Sequence, residues 1–232
     1  MIKLPFIKRP EQSLTEANEK EIRDAIQRLV DLSTHDYGYY LFLVLSIFIT
    51  SAGLLLESYP VIIGGMIIAP LLTPLLGCGL GLLLIEAKGF LRALTILVLS
   101  SLLAIALSAG VTVLTIAFES AVVSIDYVPT AIPPGLYLII AISSGVAGAF
   151  AFVKSHLSSS LSGVAVSASL LPPLCAIGIG IALRNVSLVE SSAIIFLINV
   201  GGIIAASAIV FWTLGFRRAR KLEAKVVEKA EG

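Results

Sequence analysis

Six apolar stretches, each long enough to cross a bilayer, constrain this chain more than any other feature. A hydrocarbon core about 30 Å thick needs about 20 apolar residues in a helix. The runs are continuous rather than alternating, which is typical of helices and not of barrel strands. The sequence therefore predicts an all-α fold, a polytopic membrane helix bundle with six spans. These spans are Tyr39–Leu56, Val61–Ile85, Phe90–Phe118, Gly135–Val153, Leu161–Leu183 and Val189–Gly215.

The composition agrees with a membrane environment. Only 13% of the residues are charged and the mean hydropathy is +1.01, whereas soluble domains carry about 25% charged residues. A net charge of +1 gives no argument for nucleic acid as a partner. The only cysteines, Cys78 and Cys175, stand alone in apolar runs, which excludes a disulfide framework and a cysteine-rich metal site. We therefore expect no metal and no cofactor.

The basic residues predict the orientation of the chain. With six spans, all but one of the 16 Lys and Arg residues fall on the side that holds both termini, and Arg184 alone falls on the other. By the positive-inside rule, both termini are cytoplasmic and the protein is a multi-pass protein of the cytoplasmic membrane. The first apolar run begins too far from Met1 for a cleavable signal peptide, so we expect the first span to act as an uncleaved signal.

The chain divides into five parts: a cytoplasmic amphipathic arm (1–36), a first three-span unit (37–118), an extracytoplasmic loop (119–134), a second three-span unit (135–215) and a basic cytoplasmic tail (216–232). In the arm, Ile22, Ile26, Leu29 and Val30 share one helical face. This pattern predicts a helix that leans on the cytoplasmic ends of the bundle, or an interfacial or inter-subunit helix. The tail is expected to lie against anionic lipid headgroups.

The two three-span units resemble each other at an offset of 99 residues. At this offset Gly64 falls on Gly163, Pro74 on Pro173, and the pair Gly79 and Gly81 on Gly178 and Gly180. Each unit has three spans, an odd number, so the second unit enters the membrane from the opposite face. The sequence therefore predicts a 3+3 inverted repeat, an arrangement typical of secondary transporters.

Prolines interrupt the second and fifth spans at corresponding places. A proline removes a backbone donor and clashes with the carbonyl four residues earlier, and hydrocarbon offers no water to replace the bond. We predict broken second and fifth helices that frame a substrate-binding site near the membrane midplane, with Thr73 and Ser169 offering hydroxyls. Alternatively, the prolines only kink two packed helices. The frame consists of Pro70, Thr73, Pro74, Ser169, Pro172 and Pro173.

The other polar residues limit the functions that the chain could have. No Asp, Glu, Lys or Arg lies near the middle of a span, which argues against a proton relay. Asn199 and its repeat partner Ser100 lie within spans and are predicted to line the site or to hold helices together. No nucleophile–base pair or carboxylate pair is visible, so we do not expect an enzyme.

The segment from Gly64 to Gly77, GGMIIAPLLTPLLG, and the block SLLPP at 169–173 resemble domain-of-unknown-function family 389. The resemblance covers about residues 37–215. It implies a hydrophobic multi-span membrane protein of bacteria and archaea, and it implies no substrate or reaction.

Together these features favour a transporter that moves a small solute or ion through a site between the proline-broken helices. A passive channel is one alternative and would show flux without saturation. A non-transporting scaffold or lipid-binding domain is another, in which Thr73→Ala and Ser169→Ala would change only stability. The expected partners are membrane lipids and an unidentified small solute or ion, and a second copy of the chain is a further candidate.

Overall fold

The computed structural model describes residues 21–22, 24–27, 37–84, 87–119, 134–154 and 159–216, with the backbone alone at 119, 134 and 159–169. In this part of the chain all regular structure is helical. Residues 21–22 and 24–27 form a short helical segment, α1. The other helices are α2 (Tyr37–Leu55), α3 (Tyr59–Ile68), α4 (Leu72–Leu84), α5 (Ala87–Glu119), α6 (Pro134–Val153), α7 (Ser159–Ala182) and α8 (Val186–Thr213).

The surface of the bundle is apolar, and its mainly apolar interior also contains polar side chains. Large aliphatic side chains face outward, as at Leu197, which is 66% exposed, while Asn199 two residues later is 1% exposed. Water would disfavour such a surface, whereas lipid tails match it. The protein is therefore an integral membrane protein. Further buried polar side chains include Ser46, Thr50, Ser100, Ser108, Thr112, Ser192 and Ser207.

Four helices are long and apolar enough to cross a membrane: Tyr37–Leu55, Ala87–Phe118, Gly135–Val153 and Val186–Thr213. Helices α3 and α4 meet the same criterion together, as a pair bent by 55°, and would make a fifth span. Helix α7 contains a shorter apolar helix, Leu170–Ala182, within its 24 residues. The described residues thus provide four or five spans by length and composition, where the sequence predicts six.

Helices α4 and α7 lie at the centre of the bundle. Helix α4 contacts α5 and α8, and α7 contacts the same two helices. Helices α2 and α3 pack together and against α7, and α6 packs closely on α8. One core cluster joins α2 through α8, including Ala141 of α6 and Leu188 and Ile203 of α8. A second one joins α1 to α4, α6 and α8.

Close packing of α2 on α3 makes a first prediction. A Cβ atom at Gly65 would lie 2.8 Å from Thr50 N and 3.0 Å from Ser46 O, whereas at the preceding Gly64 it would meet nothing within 4 Å. We expect Gly65→Ala to lower the free energy of unfolding by about 1–3 kcal/mol, as overpacking does. Gly64→Ala is the matched control and should not destabilise the protein. Thermal unfolding in detergent checks this, and equal midpoints for the two variants would contradict the α2–α3 contact.

Candidate functional site

The second apolar stretch is broken where the sequence predicts. Helix α3 ends at Ile68 and α4 begins at Leu72. Ala69 between them is extended, with φ −67° and ψ 124°, and its N–H bonds Met66 O. Pro70 explains this conformation because a proline disfavours helical geometry in the residue before it. Pro74 then falls in the first turn of α4, where a missing N–H costs little.

At the break one backbone carbonyl lacks its usual helical donor. Pro74 has no N–H to offer the carbonyl of Pro70, four residues earlier. Thr73, next to Pro74, is half-buried and carries a hydroxyl. A carbonyl and a hydroxyl at membrane depth are ligands for a small cation or for a polar solute.

The prediction of a broken fifth helix is wrong. Helix α7 runs from Ser159 to Ala182 with Pro172 and Pro173 inside it. The two halves differ at the residue that stands where the first half has Pro70, which at the offset of 99 is Ser169. A serine does not push the residue before it out of helical geometry. Pro172 and Pro173 each remove an N–H donor, but Leu171 before them keeps helical geometry.

The break and the prolines of α7 adjoin one aliphatic core. Ala69, Leu71 and Leu75 on one side belong to the same buried cluster as Leu170 and Leu174 on the other. Pro74, Pro172 and Pro173 are buried, and Pro70 is half-buried. The side chain of Ser169 lies outside the described residues. The structure therefore brings the two proline regions into one cluster whose side chains are mainly aliphatic.

The two predicted polar lining residues are both buried. Ser100 on α5 forms a 2.8 Å hydrogen bond with the hydroxyl of Tyr39 on α2. Asn199 occupies the corresponding place on α8 and is 1% exposed. In the conformation seen here, Ser100 links two helices of the first unit.

Sequence reasoning missed other buried hydroxyl groups. The Oγ1 atom of Thr50 and the Oγ atom of Ser192 have no hydrogen-bond partner in the part of the chain that the structure describes. Thr50 faces Gly65 across the α2–α3 contact, and Ser51 lies beside Cys175 of α7. Serine and threonine in membrane helices commonly bond their own backbone, so the sequence contains no signal for these positions.

Two close contacts between the units recur at the offset of 99 residues. A Cβ atom at Gly79 of α4 would lie 3.1 Å from Ser207 Cβ and 3.2 Å from Ile204 O of α8. A Cβ atom at Gly178 of α7 would overlap Ser108 and Ile105 of α5. The glycines are 99 residues apart, and so are the two serines. Sequence comparison finds the matching glycines but not the helices that they contact.

The hydrogen bonds of the two serines show the same correspondence, and so does a second pair of glycines. Ser108 Oγ donates to Ile105 O at 3.1 Å, and Ser207 Oγ donates to Ile204 O at 2.9 Å. A Cβ atom at Gly81 would meet the backbone of Phe90, and one at Gly180 would meet Val189. Among the described residues no group of three His, Cys, Asp or Glu side chains could hold a metal ion.

Comparison with known proteins agrees with the resemblance in the sequence. Residues 66–205 match the family described as domain of unknown function (DUF389). The chain belongs to this family. An uncharacterised protein of Methanocaldococcus jannaschii is 30% identical over 222 residues, which cover 93% of this chain and 67% of that protein. No solved structure matches. The match to family 389 includes the break, the prolines of α7 and both contact glycines.

The hydrogen bond between Tyr39 and Ser100 makes a second prediction. Because both groups are buried, we expect a double-mutant cycle with Tyr39→Phe and Ser100→Ala to give a coupling of about 0.5–1.5 kcal/mol. Tyr37→Phe is the control, since Tyr37 is 94% exposed and should not couple to Ser100. Equilibrium unfolding in mixed micelles measures the coupling, and a value indistinguishable from that of the control would refute a link between α2 and α5.

Proposed function

We propose that this protein is a transporter of a small solute or ion, built as a six-span 3+3 inverted repeat. The contacts of Gly79 with Ser207 and of Gly178 with Ser108 carry the proposal. Each contact joins one three-span unit to the other. Exchanging the two units at the offset of 99 residues turns the contact of Gly79 with Ser207 into that of Gly178 with Ser108. Inverted-repeat transporters alternate between inward-open and outward-open states by exchanging the conformations of their halves in this way.

Helix bounds support the repeat independently of these contacts. Helix α2 ends at Leu55 and α6 at Val153, one residue before the position that the offset gives. With α7 counted as a span, each half contributes three spans.

The second core cluster supports the even number of spans. The final turns of α4, α6 and α8 meet in it through Leu84, Val153 and Leu214. Three helices that end at the same face are required if the chain enters and leaves the membrane six times. The excess of basic residues near this face makes it the cytoplasmic one under the positive-inside rule, with both termini on that side.

In the proposed mechanism the break between α3 and α4 has two roles: it allows α4 to move, and it binds the solute. Residues 69–71 let α4 tilt without α3, and the carbonyl of Pro70 with the hydroxyl of Thr73 would bind the solute. The prolines of α7 and Ser169 would form the opposite wall. Ser100 would exchange its bond with Tyr39 for the solute, and Asn199 would act at the equivalent place. The aliphatic packing around the break then corresponds to an occluded state.

The aliphatic packing around the break also favours one alternative function, a membrane scaffold. A core filled by Leu71, Leu75, Leu170 and Leu174 is also what a membrane scaffold without a pathway would contain. The two functions differ in whether water ever reaches the break.

The native cysteines separate these functions and make a third prediction. Both are buried, but Cys78 lies in the half of the bundle toward Leu84, and Cys175 in the half toward Ala182. In single-cysteine variants, alternating access predicts slow labelling of Cys78 by a membrane-impermeant thiol reagent in inverted vesicles. Cys175 should be labelled in intact cells instead, because opposite half-pathways open to opposite faces.

Exposed positions provide the controls for sidedness. Lys88→Cys should react only in inverted vesicles and Ser187→Cys only in intact cells, since both positions are exposed and lie at opposite ends of the bundle. If neither native cysteine reacts from either side until detergent unfolds the protein, the transporter proposal fails and the scaffold is favoured. Labelling of both cysteines from both sides at equal rates would favour a passive channel.

A further inference from the structure

Helix α1 is bound to one end of the bundle by its apolar face. Ile22, Ala25 and Ile26 are at most 5% exposed. They belong to one cluster with side chains from three helix ends: Leu76, Leu80 and Leu84 of α4, Ala149, Phe152 and Val153 of α6, and Val210, Phe211 and Leu214 at the end of α8. This short segment thus bridges α4, which belongs to the first three-span unit, and the two outer helices of the second.

An ion pair holds the same segment. Lys154, directly after α6, donates from Nζ to Glu21 Oε2 of α1 at 2.9 Å. The lysine side chain is 2% exposed and the glutamate 21%. Removing one partner of a buried ion pair is strongly destabilising, so this contact helps to hold α1 against the end of α6.

The repeat does not give the other end of the bundle the same ion pair. At the offset of 99 residues Lys154 corresponds to Leu55, which is uncharged and half-buried at the end of α2. An inverted repeat alone would seal both ends alike. The segment α1 therefore adds a closure at the α4–α6–α8 end that the repeat itself does not supply.

We propose that α1 is a latch on the cytoplasmic gate, a proposal that rests on the function proposed above. Opening toward the cytoplasm requires the ends of α4, α6 and α8 to separate, and α1 packs against all three. Release of Glu21 from Lys154 hydrates the lysine and frees the apolar face, after which α4 can tilt at the break. The latch thus sets how often the pathway opens on this side.

The test uses the full-length protein in inverted vesicles and the labelling rate of Cys78 by an impermeant thiol reagent. Glu21→Gln removes the carboxylate that pairs with Lys154 and should raise the Cys78 rate about tenfold or more. The charge exchange Glu21→Lys with Lys154→Glu should return the rate to that of the parent. Glu190→Gln is the control, because it removes the same charge from an exposed position at the other end of the bundle and should leave the rate unchanged.

Two further cysteine positions identify the cause of any change in the labelling rate of Cys78. Ala25→Cys, in a background without Cys78 and Cys175, reports release of α1, because Ala25 is fully buried. Cys175 reports general loosening, because it lies in the other core cluster. The latch is supported if Glu21→Gln exposes Ala25→Cys and Cys78 while Cys175 keeps its rate.

Three results would overturn the latch. In the first, Ala25→Cys becomes reactive while Cys78 does not, so that α1 leaves without opening the gate. In the second, Ala25→Cys stays protected in Glu21→Gln, so that the ion pair does not hold α1. In the third, Cys78 and Cys175 become reactive together and the charge exchange does not reverse it, so that Glu21 is only structural. Failure of the transporter proposal is read separately, from Cys175 labelling in intact cells of the parent.

Discussion

Backbone hydrogen bonding in hydrocarbon is the constraint on which the rest of this structure depends. Every carbonyl and N–H in a span needs a partner inside the protein, and α2, α5, α6, α7 and α8 each run as one continuous helix. The exception is at Ala69 and Pro70, where the chain is extended between α3 and α4. That exception lies against the aliphatic core shared with α7, with Ala69 buried and Pro70 half-buried.

The close approach of α4 to α8 and of α7 to α5 follows from a second constraint. Association of helices in lipid depends on packing rather than on exclusion of water, so small residues occur where backbones come closest. Gly79 and Gly178 occupy such places, and a side chain at either would push the two halves apart. The central helices are therefore held by surfaces with few side-chain atoms, which suits the rearrangement that the proposed transport would require.

Much of this arrangement could be read from the sequence, and the exceptions have physical causes. The helical membrane fold and the break at Pro70 are predictable, because composition and proline sterics act within a few residues. Family 389 is predictable only from the resemblance of residues 64–77 and 169–173. The continuous α7 is not, because the sequence pairs its prolines with those of the first half although Ser169 stands where the first half has Pro70. The bond between Tyr39 and Ser100 was also missed, since it joins residues 61 positions apart.

Hydropathy and the proline ring are local properties, so the amino-acid sequence is enough to predict a helical membrane protein and the break in its second apolar stretch. The helices that the glycines contact, and the end of the bundle that α1 covers, depend on how distant segments pack together. The clearest case is Lys154, which reads as an ordinary basic residue after a span. Its burial beside Glu21, 133 positions away, depends on how α1 and α6 come together, and no local pattern encodes that.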